Sequence, residues 1–201
     1  MSKSVMMMYI DSNNFYKNIA DLYDTKPIRL NWQSLCLGIR DVIQEDYSCN
    51  FSKAFYYSAL SDRSDNPDKY DSHKKFLDNL NQCKYIDVVI GKLSRVPIDS
   101  ATPINKNDPS TYKHVEKTTD VNISNGMLTS TADIIVLLSA DTDFESTIRL
   151  LKKQGKTVLV VVPIGAKSSH IQHIVGDDNV ILLDKNFFDK YTKPPVALIS
   201  N

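Results

Sequence analysis

The sequence predicts a single α/β domain built on a doubly wound, mainly parallel sheet with helices on both faces. Short apolar runs alternate along the chain with stretches whose apolar residues recur at helical spacing, which is typical of βαβ units. One run, Ile134–Leu138, is continuously apolar, as expected of a central strand that is covered on both faces. A chain of 201 residues, 42% of them hydrophobic, is large enough to bury one sizeable core.

The first half of the chain predicts three strands and three helices. Apolar and aromatic runs mark the strands, and Asn31 and Pro67 mark helix starts, because Asn caps a helix well and Pro is tolerated in its first turn. In chain order the elements are a strand over Val5–Ile10, a helix over about Asn13–Leu22, a helix after Asn31, a strand over Phe51–Leu60, a helix from Pro67 and a strand over Tyr85–Leu93.

The second half opens on Ser94–Lys113, which contains three prolines and no regular period and therefore predicts a loop or an irregular hairpin. A segment of that length inside a compact domain is often functional or mobile. Further on, Phe144, Ile148 and Leu151 share one helix face, and Gly155 ends that helix. The remaining elements are a helix over Asp120–Leu128, a strand over Asp133–Ser139, a strand over Thr157–Val162, a helix over Ser168–Val175 and a strand over Val180–Leu183.

Residues 1–191 are predicted to form the domain, and residues 192–201 a C-terminal tail. The formal net charge is zero, with 24 basic and 24 acidic residues, which argues against binding of polyanions through bulk charge but allows a local basic patch. Three cysteines without a CxxC pair predict reduced thiols rather than a disulfide framework or a zinc site. No apolar run is long enough to cross a bilayer, so we expect a cytoplasmic protein without membrane contact.

Carboxylates follow two of the predicted strands at the point where each strand ends. Asp11 comes directly after the first strand, and Asp141 and Asp143 follow the apolar run Ile134–Leu138. Ligands of open parallel sheets bind beyond the carboxyl ends of the strands, so we expect these side chains to approach one another. A hard divalent cation would neutralise their repulsion. Capping of the following helices is the alternative for each residue taken alone, and the two roles are compatible.

Three segments, in order along the chain, carry motifs. They are Tyr9–Tyr16 (YIDSNNFY), Lys117–Val121 (KTTDV) and Leu138–Phe144 (LSADTDF). They resemble the IDGxNLY, KGVDV and SGDSDF motifs of NYN-domain proteins of the LabA/DUF88 type, a branch of the PIN-like nuclease superfamily. With weaker matches between them, the resemblance covers roughly residues 5–188, and motifs in the right order are more specific than any one alone.

The resemblance implies a PIN-like fold whose catalytic centre holds one or two Mg²⁺ or Mn²⁺ ions. Its catalytic and metal-binding carboxylates would be Asp11, Asp120, Asp141 and Asp143. Ions of this kind polarise a scissile phosphate and generate hydroxide from bound water. The implied reaction is hydrolysis of phosphodiester bonds, with single-stranded RNA as the expected substrate. Asn14 and Ser139 are expected to position a ligand water or an acidic neighbour.

Asn125 departs from the family pattern, because many relatives carry an aspartate five residues after the aspartate at position 120. Asn125 is expected to be auxiliary: its amide oxygen can still ligate a hard cation, but the amide carries no charge and cannot act as a base. Ser12 and Ala140 stand where the family usually has glycine. The expected contacts to substrate phosphates lie in the region that flanks Asp120, and they are Arg95, Lys113 and Lys117.

Two other classes of function stay open. A non-catalytic NYN module that binds nucleic acid or a protein partner would agree with Asn125 and with the neutral net charge, and the sequence leaves a homodimer open. A phosphatase related to the haloacid dehalogenases would need a second aspartate two residues after Asp11, where this chain has Asn13. That class is therefore the least favoured.

Overall fold

The computed structural model describes residues 3–23, 28–166 and 169–193. Residues 194–201 of the predicted tail, and Ser168 at the start of a predicted helix, lie outside the described residues. The described chain forms a seven-stranded sheet flanked by helices, together with a separate two-stranded ribbon. None of its helices is long and apolar enough to span a membrane.

The bounds of the elements agree with most of the predicted pattern. The strands are β1 Ser4–Asp11, β2 Arg29–Leu30, β3 Cys49–Leu60, β4 Ile86–Pro97, β5 Tyr112–Lys117, β6 Ile134–Leu138, β7 Thr157–Pro163, β8 Val180–Leu183 and β9 Thr192–Lys193. The helices are α1 Ser12–Ala20, α2 Trp32–Asp46, α3 Pro67–Leu80, α4 Thr119–Leu128, α5 Glu145–Lys153, α6 Ser169–Val175 and α7 Lys185–Asp189. Short 3-10 helices cover Pro109–Thr111, Thr142–Phe144 and Asp177–Asn179.

The strand order in the large sheet is β5-β4-β3-β1-β6-β7-β8. All neighbouring strands are parallel except β4 and β5. The chain winds outward from β1 through β3 and β4 to β5, and then returns across the sheet to place β6 on the other side of β1. This confirms the predicted doubly wound, mainly parallel α/β fold. The boundary between β1 and β6 is the switch point, where open sheets of this kind bind their ligands.

Successive side chains of β1 point to opposite faces of the sheet, and each face carries its own buried cluster. Met6 and Met8 belong to one buried cluster, whereas Tyr9 belongs to the other. All residues of β6 are buried, as predicted for a central strand. Ile148 and Leu151 of α5 are fully buried in the same cluster as Tyr9, because their spacing places both on the face of the helix that meets the sheet.

Two segments are more regular than their sequences indicate. In Ser94–Lys113, β4 continues to Pro97 and β5 begins at Tyr112, directly opposite Pro97 in an antiparallel ladder. The hairpin alternative is therefore confirmed, and a loop over the whole segment is wrong. An edge strand tolerates charged residues and proline, which is why no apolar period marks it. In the predicted tail, Thr192 pairs with Leu30 in the small ribbon of β2 and β9.

Candidate functional site

Asp11 ends the central strand and begins the first helix. Its side chain is buried, and one carboxylate oxygen accepts a hydrogen bond from the backbone N–H of Asn14 at 3.2 Å, which caps α1. The other oxygen accepts a hydrogen bond from the hydroxyl of Ser139 at 2.9 Å. Because Ser139 follows β6, this second bond joins the carboxyl ends of β1 and β6 at the switch point.

Ser139 and Asn14 extend this connection between the two strand ends. The hydroxyl oxygen of Ser139 accepts a hydrogen bond from the backbone N–H of Asp141 at 3.1 Å, and Ser139 is fully buried. The side-chain carbonyl of Asn14 accepts a hydrogen bond from the backbone N–H of Ala140 at 3.0 Å. Asn18 donates to the same oxygen at 2.8 Å. Asn14 and Ser139 therefore fix the position of Asp11 relative to the turn that carries Asp141.

Asp141 caps the short 3-10 helix that precedes α5. One of its carboxylate oxygens accepts a hydrogen bond from the backbone N–H of Asp143 at 3.0 Å. The side chain of Asp143 is exposed in the first turn. Asp11 and Asp141 thus both act as caps, as the alternative interpretation expected. A carboxylate has about four acceptor positions, so a capping bond by itself does not exclude a metal ion as a second partner.

Asp120 reaches the same edge of the sheet from a different element. It is exposed in the first turn of α4, a helix that packs on β1, β3 and β4 and contacts the 3-10 helix Thr142–Phe144. Thr119 beside it is buried against Gly91, where a Cβ on the glycine would lie 2.6 Å from the threonine hydroxyl. Asn125 lies farther along α4, about 140° around the helix from Asp120. The two side chains therefore leave α4 in different directions.

The donor chemistry at this edge suits a hard cation, but the side chains are not gathered into a ready site. Four carboxylates on three elements, with a hydroxyl and an amide beside them, are the ligand types that Mg²⁺ and Mn²⁺ prefer. Among the described residues, no three acidic, histidine or cysteine side chains stand together as a group that could hold a metal ion. The capping bonds hold the carboxylates of Asp11 and Asp141 at their helix starts. The side chains at this edge are therefore the right types for a hard cation, but in the described chain they do not surround a common point.

The predicted phosphate contacts fall into two kinds. Lys113 and Lys117 are exposed on the edge strand β5, and Lys117 lies directly opposite Lys92 of β4, which is also exposed. Like charges in register across a ladder repel, and a bound anion would relieve that repulsion. Arg95, by contrast, is only 11% exposed and is ion-paired with Asp65, so its guanidinium is already engaged.

Asp65 is a residue that sequence reasoning missed. Its carboxylate accepts hydrogen bonds from Arg95 Nε at 2.6 Å and from the Tyr112 hydroxyl at 3.0 Å, and it lies 2.7 Å from His114 Nε2. Burial raises the pKa of the Asp65 carboxyl, but the bonds from Arg95, His114 and Tyr112 outweigh it and hold the pKa below its ordinary value. This cluster fastens the loop before α3 to the β4–β5 hairpin. No local motif could have revealed it, because the partners lie far apart in sequence.

The fold and the site together define a class of protein: a doubly wound α/β domain with acidic side chains around the switch point of its sheet. Within that class, the chain belongs to the NYN domain family, whose model matches residues 5–178. Among solved structures, a protein of unknown function from Vibrio parahaemolyticus RIMD 2210633 is similar, with a TM-score of 0.57 and 17% identity over 95% of this chain and 97% of that chain. At that identity the likeness is one of fold. No curated protein matches the sequence.

Proposed function

We propose that this protein is a metal-dependent nuclease of the LabA/DUF88 type that hydrolyses phosphodiester bonds in single-stranded RNA. The observation that carries the proposal is the hydrogen-bonded connection from Asp11 through Ser139 to Asp141, which joins two acidic residues at the switch point of an NYN domain. The ordered motifs around Asp11, Asp120 and Asp141 support the same reaction.

The residues of this chain divide into three roles under the proposal. Asp11, Asp120, Asp141 and Asp143 would hold the Mg²⁺ or Mn²⁺ ion. When bound, such an ion polarises a phosphoryl oxygen and lowers the pKa of coordinated water. Ser139 and Asn14 keep the Asp11 side chain from rotating. Ser139 bonds both to the Asp11 carboxylate and to the backbone N–H of Asp141. Asn14 bonds to Asp11 through its backbone N–H and to the backbone of Ala140 through its side chain. Lys117 and Lys92 present two adjacent ammonium groups to the phosphates of the strand.

Cleavage and ion binding can be tested separately. Wild-type protein is expected to cleave an unpaired RNA oligonucleotide with Mn²⁺ or Mg²⁺, and its unfolding free energy should rise by about 2.7 kcal/mol when the ion is present at 100 times its Kd. Asp11→Asn and Asp141→Asn should abolish both effects. Asn keeps a capping oxygen at both positions, so the helix starts are retained. Asp46→Asn, at the exposed C-terminal end of α2, is the matched control and should behave as wild type.

A second candidate is a non-catalytic NYN module that binds nucleic acid or a protein partner. It is favoured by the capping bonds of Asp11 and Asp141, by the lack of a ready ion site in the described chain, and by the neutral Asn125. Under this candidate the metal does not raise the thermal stability, and RNA is bound but not cleaved. An ion-dependent rise in stability that Asp141→Asn loses would exclude it.

A further inference from the structure

An open aromatic groove lies on the side of the molecule formed by α1, β2, α2 and α3, beside the helix that Asp11 caps. Its volume is about 460 Å³, which is within the range of small-ligand sites. The residues that line it include Tyr16, Arg29, Leu30, Trp32, Tyr56 and Phe76. They come from five elements, so the groove exists only in the folded chain.

The walls of the groove are aromatic rings set at steep angles to one another. The Trp32 and Tyr56 rings are 4.8 Å apart with an interplanar angle of 75°, and the Tyr56 and Phe76 rings are 6.2 Å apart at 73°. Trp32 and Tyr56 are almost buried, whereas Phe76 is 38% exposed at the rim. Phe76 is therefore the ring that a flat aromatic guest would contact first, above the buried Trp32 and Tyr56 rings.

One cation stands at the same groove. Arg29 is exposed on β2, and it makes no ion pair with any carboxylate in the described part of the chain. The hydroxyl of Tyr16 is engaged with the backbone of Ile28, donating to its carbonyl at 2.9 Å and accepting from its N–H at 3.0 Å. Among the described residues that line the groove, Arg29 is the charged one, and its guanidinium would pair with a phosphate at the rim.

The groove is connected to the candidate nuclease centre by direct neighbours. Tyr56 is the register partner of Ile10, the residue before Asp11, and its hydroxyl makes a hydrogen bond with Ser12, the residue after Asp11. Tyr16 lies on α1, which Asp11 caps, about 7.5 Å along the helix from that residue. This neighbourhood of Asp11 is the reason to expect that an unpaired strand with a phosphate at the carboxylates places a nearby base in the groove.

We propose that this groove binds one unpaired nucleobase of the RNA strand, with Arg29 on an adjacent phosphate. The inference rests on the proposed nuclease function for the identity of the strand. It deepens that function by giving the preference for single strands a structural cause, since a base inside a duplex cannot enter the groove. Stacking on aromatic side chains is tolerant of sequence, so the groove selects unpaired bases rather than one base type.

Trp32 provides a direct readout, because it is the single tryptophan of the chain and lines the groove. We expect an unpaired RNA oligonucleotide, titrated with Ca²⁺ to hold back cleavage, to quench its fluorescence. An oligonucleotide of equal length with abasic positions, and the same RNA in a duplex, should quench weakly or not at all. Phe76→Ala should weaken binding of the unpaired strand by roughly tenfold, within the range for loss of one stacked base. Leu150→Ala, which removes a 47% exposed residue of α5, should leave binding unchanged.

The outcomes separate the groove from the nuclease centre. Quenching that is equal for normal and abasic strands, or that Phe76→Ala leaves intact, overturns the groove proposal even if the protein cleaves RNA. Quenching that is selective for unpaired bases supports the groove even if no cleavage occurs, and in that case the nuclease proposal alone fails. Arg29→Ala keeps the aromatic walls and should lower affinity while retaining the preference for normal over abasic strands.

Discussion

The hydroxyl of Ser139 donates a hydrogen bond to the carboxylate of Asp11 at 2.9 Å, across the boundary between β6 and β1. The same hydroxyl oxygen accepts from the backbone N–H of Asp141. One buried side chain therefore holds together the two strand ends that carry the proposed catalytic carboxylates. The stability of the fold and the proposed activity would consequently depend on the same hydrogen bonds.

Ser139→Ala should lower the free energy of unfolding by about 1–3 kcal/mol, because it leaves a buried carboxylate oxygen and a backbone N–H without their partner. Urea denaturation at neutral pH measures the effect. Ser146→Ala, at an exposed position of α5, is the control and should change stability by less than about 0.5 kcal/mol. Equal stabilities for the two variants would mean that the hydrogen bonds of Ser139 to Asp11 and Asp141 contribute nothing to stability.

Gly126→Ala should destabilise the fold even though alanine is the better helix former. A Cβ at this position of α4 would lie 2.2 Å from the hydroxyl oxygen of Tyr57, so the ring has to move, at about 1–3 kcal/mol. In a Tyr57→Phe background the nearest atoms are 3.3 Å and 3.4 Å away, and the cost should shrink. A double-mutant cycle of unfolding free energies measures the coupling, and strictly additive effects would contradict the clash.

Asp65→Asn should remove part of the acid sensitivity of the protein. The pKa of the Asp65 carboxyl is held below its ordinary value in the folded state, so its ionised form stabilises the fold above the unfolded-state pKa of about 4. That stabilisation is lost as the pH falls through the lower, folded-state pKa. In thermal melts the melting temperature of the wild type should exceed that of Asp65→Asn by the same amount from pH 7 down to about pH 4. Between about pH 4 and pH 2 this difference should become smaller. A difference in melting temperature that stays the same down to pH 2 would contradict a lowered pKa of the Asp65 carboxyl.

Lys117→Ala should weaken RNA binding without weakening the fold. Removing one of two ammonium groups that face each other across the β4–β5 ladder relieves repulsion, so the melting temperature should stay the same or rise slightly. The slope of log K against log salt concentration should become shallower by about 0.7 for each phosphate that the variant no longer neutralises. Lys53, whose ammonium is paired with Asp87 at 2.6 Å, offers a charge-matched comparison: Lys53→Ala should leave the slope unaltered.

The sequence predicted those parts of the fold that local pattern controls. β6 was recognisable because it is apolar throughout, and the capping roles of Asp11 and Asn31 because each stands at a strand-to-helix turn. β5 was not recognisable in the sequence, because an edge strand with charged residues has no apolar period. The Arg95–Asp65 pair was also beyond reach, since 30 residues separate the partners and only the folded hairpin brings them together.

The position of β1 in the sheet has a consequence for folding during synthesis on the ribosome. Its two neighbours come from distant parts of the chain, and 128 residues separate Asp11 from Ser139. At ordinary rates of synthesis, Ser139 is made roughly 6 to 26 seconds after Asp11. Until then one edge of β1 has no partner, and an open apolar edge invites association with other chains. During that interval β1 is exposed to such association, and Asp11 gains its hydrogen bond from Ser139 only after β6 has been synthesised.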